Sequence, residues 1–274
     1  MKNNPLVSII ITTKNEENNI DNCLKSIKNQ DYKNIEIIVV DNNSEDKTKN
    51  IAKKYTRKIF NIGPERSVQR NFGVEKAKGK YILYLDADMI LTKGVIKECV
   101  KIIEYNHDIK GIYIPEKIVG EGFWIKVRAF ERNFYDGTPV DCVRFVTRNA
   151  FMRVEGFDEN ITGPEDWDFD KKIRKIGKVA IAQEVLYHNE GNFDMARYLS
   201  KKAYYAKSFD KYILKWGRED KDIKKQFGIY YRFFGVFLED GKWKRFFKHP
   251  LLILGMYTLR FLVGIKFLFR NKNV

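Results

Sequence analysis

Cysteine is scarce in this 274-residue sequence: Cys23, Cys99 and Cys142 are far apart and odd in number. No Cys-x-x-Cys pair or His/Cys cluster accompanies them. That argues against a disulfide scaffold or a zinc site, and for reduced structural thiols in a cytosolic setting. Internal repeats and low-complexity tracts are missing too. So are long uninterrupted apolar runs. The first, Leu6 to Ile11, is too short for a signal-peptide core and has no cleavage-like site after it, so no leader is expected. The last, Leu251 to Phe269, is 19 residues long but is broken by Arg260 and Lys266. Its longest uncharged piece, Leu251 to Leu259, is too short to span a bilayer. A central arginine would add about 2.5–3.5 kcal/mol to the cost of insertion.

What is present supports a folded body with an unusual tail. Hydrophobic residues make up 44%, enough for a core and against wholesale disorder. The length suits one large domain, or a domain plus an appendage. The net charge is +15, and its location matters more than its size. From Lys201 onward there are 18 Lys and Arg against 6 Asp and Glu, together with 18 of the 39 aromatic residues. The first 200 residues are close to neutral. We therefore divide the chain into a body, 1–192, and a helical, basic and aromatic tail, 193–274.

Along the body, strand and helix patterns alternate. Val7–Thr12, Ile35–Val40, Arg57–Asn61, Lys80–Leu85 and Gly111–Pro115 read as strands. Lys14–Lys28, Asp46–Tyr55 (capped by Ser44 or Asp46), Ser67–Lys78 and Val95–Tyr105 read as helices. Nearly continuous apolar strands separated by helices predict a mainly parallel sheet covered on both faces. Gly120 to Gly191 is less regular, richer in Gly, Pro, Asp and Arg, and suited to building a site. In open α/β sheets, ligands bind at the carboxyl ends of the strands. Those ends carry Thr12-Thr-Lys-Asn15-Glu16, Asp41-Asn-Asn-Ser44 and Asp86-Ala-Asp88. Two carboxylates two residues apart, directly after a strand, can offer oxygens to Mg²⁺ or Mn²⁺. Such cations take their other ligands from substrate phosphates and water, and would neutralise a diphosphate leaving group. The competing explanation is a solvated turn whose Asp caps a helix.

The segments Val7-Ser-Ile-Ile-Ile-Thr-Thr-Lys-Asn-Glu-Glu17, Ile38-Val-Val-Asp-Asn-Asn-Ser44, Arg70-Asn-Phe-Gly73, Ala77-Lys-Gly-Lys-Tyr81 and Leu85-Asp-Ala-Asp88 decide between them. In order and spacing they resemble the family 2 glycosyltransferases over roughly residues 5–190. The resemblance implies an α/β fold of GT-A type: a Rossmann-like, mainly parallel sheet flanked by helices, here with a C-terminal basic amphipathic helical extension. It implies an inverting enzyme that uses a nucleotide-diphosphate sugar, a UDP- or GDP-sugar, with Mn²⁺ or Mg²⁺. Thr12, Asn15 and Glu16 would line the nucleotide pocket. Asp41 would hold the base or ribose, Asp86 would face the ribose or sugar, and Asp88 would ligate the metal. Asn42 stands where the family often has a second acidic or small residue, which leaves the base open.

Arg66 and Arg70 precede Asp86, and arginine's planar fork suits a diphosphate. We favour Arg70, whose Arg-Asn-x-Gly setting matches the family pattern. Gly163-Pro-Glu-Asp166-Trp-Asp168 resembles the family's acceptor-site element, which implies Asp166 as general base, with Glu165 and Asp168 as runners-up. The same residues would also suit a helix start. In many relatives a His at the place of His188 completes the metal site, so His188 is a candidate ligand. Neutral imidazole suits Mn²⁺ better than Mg²⁺.

In the tail, Trp243, Phe246 and Phe247 stand among Lys242, Lys244, Arg245 and Lys248. With the apolar stretch that follows, this predicts a helix lying at a membrane surface. A peripheral place on the cytoplasmic face and a lipid-linked or glycan acceptor follow from that reading. Two alternatives fare worse. A sugar nucleotidyltransferase needs a Gly-rich basic loop after the first strand, where Thr-Lys-Asn-Glu-Glu stands instead. A nucleic-acid-binding protein is suggested by charge and aromatics, but basic residues beside a long apolar stretch suit lipid better, and no nucleic-acid partner is expected.

Overall fold

The computed structural model describes residues 4–270; the last four positions of the expected tail, 271–274, lie outside the described residues. The strands are β1 (Val7–Thr13), β2 (Ile35–Asp41), β3 (Ile59–Asn61), β4 (Tyr81–Asp86), β5 (Met89–Leu91), β6 (Ile109–Tyr113), β7 (Glu116–Glu121), β8 (Phe145–Thr147), β9 (Lys178–Ile181) and β10 (Leu186–Asn192). Seven of them form one sheet in the order β3-β2-β1-β4-β8-β6-β9. β1 lies parallel between β2 and β4, and the pairs β2–β3 and β6–β9 are also parallel. Only β8 reverses, antiparallel to both β4 and β6. The sheet is thus mainly parallel, as the apolar strands predicted.

β1 is buried along its whole length, which suits its β-branched sequence to a sheet covered on both sides. Alternation sends Val7, Ile9 and Ile11 to one face, with Leu83, Leu85 and the apolar sides of helices Ile20–Lys28 and Val95–Tyr105. Ile10, Ile38, Val40, Ile82 and Tyr84 face the other way, against Val74, Phe151, Phe157 and Phe169. Helix Arg66–Glu75 crosses this second face very closely at Gly73. A Cβ there would stand 2.3 Å from Ile10 Cγ2, so the glycine sets the approach.

Two helices are shorter than their sequence patterns. The first begins only at Ile20, because Asn15 adopts a left-handed backbone (φ 54°) and breaks the preceding run. The second is confined to Thr48–Ala52, and the Asp46 carboxylate accepts from Thr48 N at 2.9 Å and Glu17 N at 3.0 Å. All three cysteines are buried.

The chain forms two compact units. The first runs to Glu116 and includes Cys142–Glu159 and Glu165–Asn189; the second holds Lys117–Asp141, Asn160–Pro164 and the chain from Glu190 onward. The division is discontinuous, where composition suggested a single cut after residue 192. The reason is helix Phe123–Arg132, whose Val127 and Phe130 pack with Phe237, Phe246, Met256 and Leu259. Helix Pro250–Arg270 packs on Phe123–Arg132 and on helix Met195–Tyr205. Arg260 turns inward and donates from Nε and Nη2 to Glu131 Oε1 at 3.1 and 2.7 Å. Its charge is therefore absorbed inside the unit, while Leu251, Leu254 and Phe261 stay 66–72% exposed. No described helix is long and apolar enough to cross a membrane.

Candidate active site

The register of the central strands creates the site. Thr13 is level with Asp41 and Thr12 with Asp86, so three strand ends meet at one edge of the sheet. Thr12 Oγ1 donates to Asp86 Oδ1 at 3.1 Å. The loops after β1 and β2 are stitched together by side chains. Ser44 donates to Asp41 from its backbone N (2.7 Å) and hydroxyl (2.5 Å). Asn15 N donates to Ser44 Oγ at 2.8 Å, and Glu45 N to Asn15 Oδ1 at 2.9 Å. Glu16 N donates to Thr48 Oγ1 at 2.8 Å, while its carboxylate accepts from Asn19 Nδ2 at 2.8 Å. Asn15 is exposed and Glu16 half-buried, whereas Asp41 is wholly buried. In this arrangement Asp41 shapes the loop that follows it.

Arg70, expected at the diphosphate, is not at the surface. Gly73 lets its helix sit so low that the guanidinium is fully buried, 4.8 Å from the Tyr84 ring centroid and 5.0 Å from that of Phe157. Its Nη2 donates to Asp86 at 3.1 Å and its Nη1 to Asp166 at 2.6 Å. Arg70 thus ties two carboxylates from distant segments together. Burial opposes the charge on Asp86, but Arg70, Arg66 and Arg144 outweigh it and hold its carboxyl far below the usual range. Arg66 is the arginine left at the rim, its side chain about a third exposed, 3.7 Å from Asp86 and 3.0 Å from Glu165.

His188 lies in β10, which pairs antiparallel with β5 so that His188 stands opposite Met89. This brings the ring to Asp88: His188 Nε2 is 3.1 Å from Asp88 Oδ2. On the other side, Nδ1 is 2.8 Å from Glu116 Oε1, and Arg144 Nη2 donates to Glu116 Oε2 at 3.1 Å. Burial pulls the His188 pKa down, but hydrogen bonds to Asp88 and Glu116 dominate and raise it to about 10. An imidazolium therefore supplies positive charge between the two acids. Among the described residues Asp88 Oδ1 is buried with no hydrogen-bond partner, which is costly for a carboxylate oxygen unless something binds it. Asp88 Oδ1 and deprotonated His188 Nε2 could together offer two ligands to a divalent cation. Glu116 would orient the ring from behind, an arrangement common to metal-bound histidines. Among the described residues no group of three or more His, Cys, Asp and Glu side chains converges to hold a metal. A cation here would need phosphate and water for the rest of its shell.

Helix Glu165–Ile176 opens with three acids, and their surroundings separate them. Glu165 is buried; burial and Asp166 raise its pKa. Asp168 is also buried and lies 3.5 Å from Lys172. The Asp166 side chain remains 24% exposed while Arg70 holds it. Of the three, Asp166 alone combines a fixed position with access. Glu116 and Arg144 were not singled out from the sequence. The available signals were an acid directly after Pro115 and a lone arginine inside the apolar run 143–147. A separate recess of about 680 Å³, lined by Lys78, Lys80, Tyr81, His107, Lys110 and Arg148, lies away from these carboxylates.

A mainly parallel seven-stranded sheet with one reversed strand and an acidic carboxyl edge defines a GT-A type domain. The sequence profile of Glycosyl transferase family 2 matches residues 8–159, and the chain belongs to that family. It is 28% identical over 203 residues to an uncharacterized glycosyltransferase of Rickettsia typhi, covering 66% of this chain and 63% of that protein. It thus spans less than two thirds of that relative's length. Over 102 residues it is 33% identical to the GalNAc(5)-diNAcBac-PP-undecaprenol beta-1,3-glucosyltransferase of Campylobacter jejuni, covering 34% of this chain and 32% of that one. Its fold is shared with a mannosyltransferase of Pyrobaculum calidifontis solved with GDP-Man and Mn²⁺ (TM-score 0.60, 19% identity, 93% of this chain and 74% of that one).

Proposed function

We propose that this protein is an inverting glycosyltransferase that moves a sugar from a UDP- or GDP-sugar to a lipid-linked or glycan acceptor at the cytoplasmic face of a membrane. The observation that carries the proposal is the buried, unpartnered Oδ1 of Asp88, with His188 Nε2 at the other oxygen of the same carboxylate. Asp88 and His188 would hold Mn²⁺ or Mg²⁺, which when bound supplies charge neutralisation at the departing diphosphate. Thr12, Asn15, Glu16 and Asp41 line the nucleotide side. Asp86, charged and held by Arg70, faces the ribose or sugar. Asp166 takes the proton of the acceptor hydroxyl; that oxygen bonds to the sugar carbon as the bond to the diphosphate breaks. Arg70 fixes the distance between Asp86 and Asp166 and acts as a positioning residue.

The second unit supports the membrane part of the reading. Leu251, Leu254, Phe261, Trp243 and Phe247 are half exposed or more, among exposed Lys244, Arg245 and Lys248. Apolar residues rimmed by cations suit an anionic lipid surface. The Campylobacter relative, whose name specifies an undecaprenol-linked substrate, supports a lipid-linked acceptor.

The test is a panel of nucleotide sugars with Mn²⁺ or Mg²⁺, read by nucleotide release and thermal stabilisation. Asp88→Ala should abolish metal-dependent stabilisation by the sugar donor. Asp166→Asn should keep that stabilisation and lose about 10²-fold or more in transfer. Full turnover by Asp166→Asn would remove the base assignment, and a panel without any stabilising nucleotide sugar would remove the whole reading.

A further inference from the structure

The second unit contains a cluster of charges that its own carboxylates do not balance. Arg128 donates to Glu190 from Nη2 at 2.9 Å and from Nε at 3.4 Å, and its Nη1 reaches Glu131 at 3.4 Å. Arg260 grips the other oxygen of Glu131 and, at 2.7 Å, the Tyr135 hydroxyl. Two arginines and two glutamates are thereby matched. Two cations are left over. The Lys202 ammonium lies 5.5 Å from the Tyr198 ring centroid, on a ring it shares with Arg128 at 5.3 Å, and has no carboxylate partner among the described residues. The Arg232 guanidinium lies 5.5 Å from the Tyr135 ring centroid, and its Nη1 is buried without a hydrogen-bond partner among the described residues.

Leaving two basic groups half-buried without a counter-charge is expensive whenever both are protonated. The strain shows at Lys202. Burial and Arg128 push its pKa down to about 7, with Arg232 acting in the same direction and Glu131 against it. Aromatic faces at both cations soften the cost but carry no counter-charge. A ligand with two negative charges and several acceptor oxygens would satisfy Lys202, the free Arg232 Nη1 and the edge of Arg128 together. Planar guanidinium groups bind such oxygens in pairs.

We infer that Arg128, Lys202 and Arg232 form a binding site for a phosphate-class oxyanion, a phosphomonoester or diphosphate. The site lies wholly within the second unit and is independent of the carboxylates of the first. That the oxyanion belongs to a lipid-linked acceptor rests on the function proposed above; the anion site does not.

The experiment uses the full chain in metal-free buffer. One arm titrates inorganic phosphate and follows thermal unfolding and calorimetric heat. The other measures co-sedimentation with phosphatidylcholine vesicles with and without phosphatidic acid, a phosphomonoester lipid. Wild-type protein should bind in at least one arm. Binding in solution indicates a free phosphate source; binding only to phosphatidic acid vesicles indicates a headgroup where the Lys202→Met, Arg232→Gln variant loses it. Lys202→Met with Arg232→Gln should weaken that binding by roughly 10-fold or more for each cation removed. Lys202→Arg with Arg232→Lys should retain most of it; in the inorganic phosphate arm removal of the exposed Lys244 and Lys248 should retain it too, which rules out general surface charge there. Wild-type protein that binds in neither arm overturns the inference, as does a Met/Gln variant that binds like wild type. If the Met/Gln pair does not fold, the wild-type titration and the Arg/Lys swap still decide. Stabilisation by nucleotide sugar and Mn²⁺ is measured on the same variants and should not change. A failed anion site therefore looks different from a failed glycosyltransferase reading.

Discussion

Replacing Arg70 by methionine keeps the packing against Tyr84 and Phe157 but removes the charge between Asp86 and Asp166. Two carboxylates would then face each other without their shared cation. Removing one partner of a buried ion pair typically costs about 3–5 kcal/mol. Asp86 and Asp166 keep 19% and 24% side-chain exposure, so water recovers part of that loss and the lower end applies. For a chain of this size each kcal/mol moves Tm by about 2–4 °C, so the Arg70→Met Tm should fall by roughly 6–12 °C. Differential scanning calorimetry at neutral pH in metal-free buffer measures this directly. Adding Asp166→Asn should then cost less in the Arg70→Met background than in wild type, because the pair is coupled. If Arg70 instead gripped the diphosphate, its loss would weaken nucleotide-sugar binding and leave Tm almost unchanged. A Tm within about 2 °C of wild type, or strictly additive single changes, would refute the tethering argument.

Gly73→Ala should destabilise by about 1–3 kcal/mol through overpacking against Ile10 and lower transfer by displacing Arg70; denaturant unfolding and nucleotide release check both. Glu131 gives a pH signature. Burial opposes its ionisation, but Arg260 and Arg128 keep its carboxyl well below the ordinary 4.5. A depressed folded-state pKa means its stabilisation is present above pH 4.5 and lost as the pH falls below it. Glu131→Gln should therefore be less stable at neutral pH and flatter on the acid side, as read by Tm against pH. Leu254→Glu with Phe261→Glu should reduce sedimentation with anionic vesicles while leaving Tm within a few degrees, since exposed substitutions cost little.

Much of the first unit was legible because its information is local. β1 and β2 announce themselves as β-branched runs and β4 as an apolar, aromatic one, and the rule that ligands gather at strand ends led to Asp41, Asp86 and Asp88. His188 could be named from the resemblance, and the antiparallel pairing of β10 with β5 gives it its partner. Glu116 and Arg144 were not legible, since nothing near residue 144 states that its guanidinium will meet residue 116. Arg70 was visible, but its burial was not. Whether a helix presents an arginine to solvent or tucks it under the sheet depends on how close the helix lies, and that closeness depends on Gly73 and Ile10. Helix Phe123–Arg132 was hidden between Gly120, Gly122 and an irregular stretch, although Val127 and Phe130 already stood at helical spacing.

That helix limits how the chain can be cut or recombined. Its apolar side is completed by residues more than 100 positions downstream, among them Phe246, Met256 and Leu259. A truncation designed to keep only the nucleotide-facing portion would leave Val127 and Phe130 uncovered in the middle of the retained segment. Exchange of tails between relatives would likewise have to carry this internal stretch along with the C-terminal one. The two stretches of the second unit are separated in sequence but share one core, so a change in either has to be matched in the other.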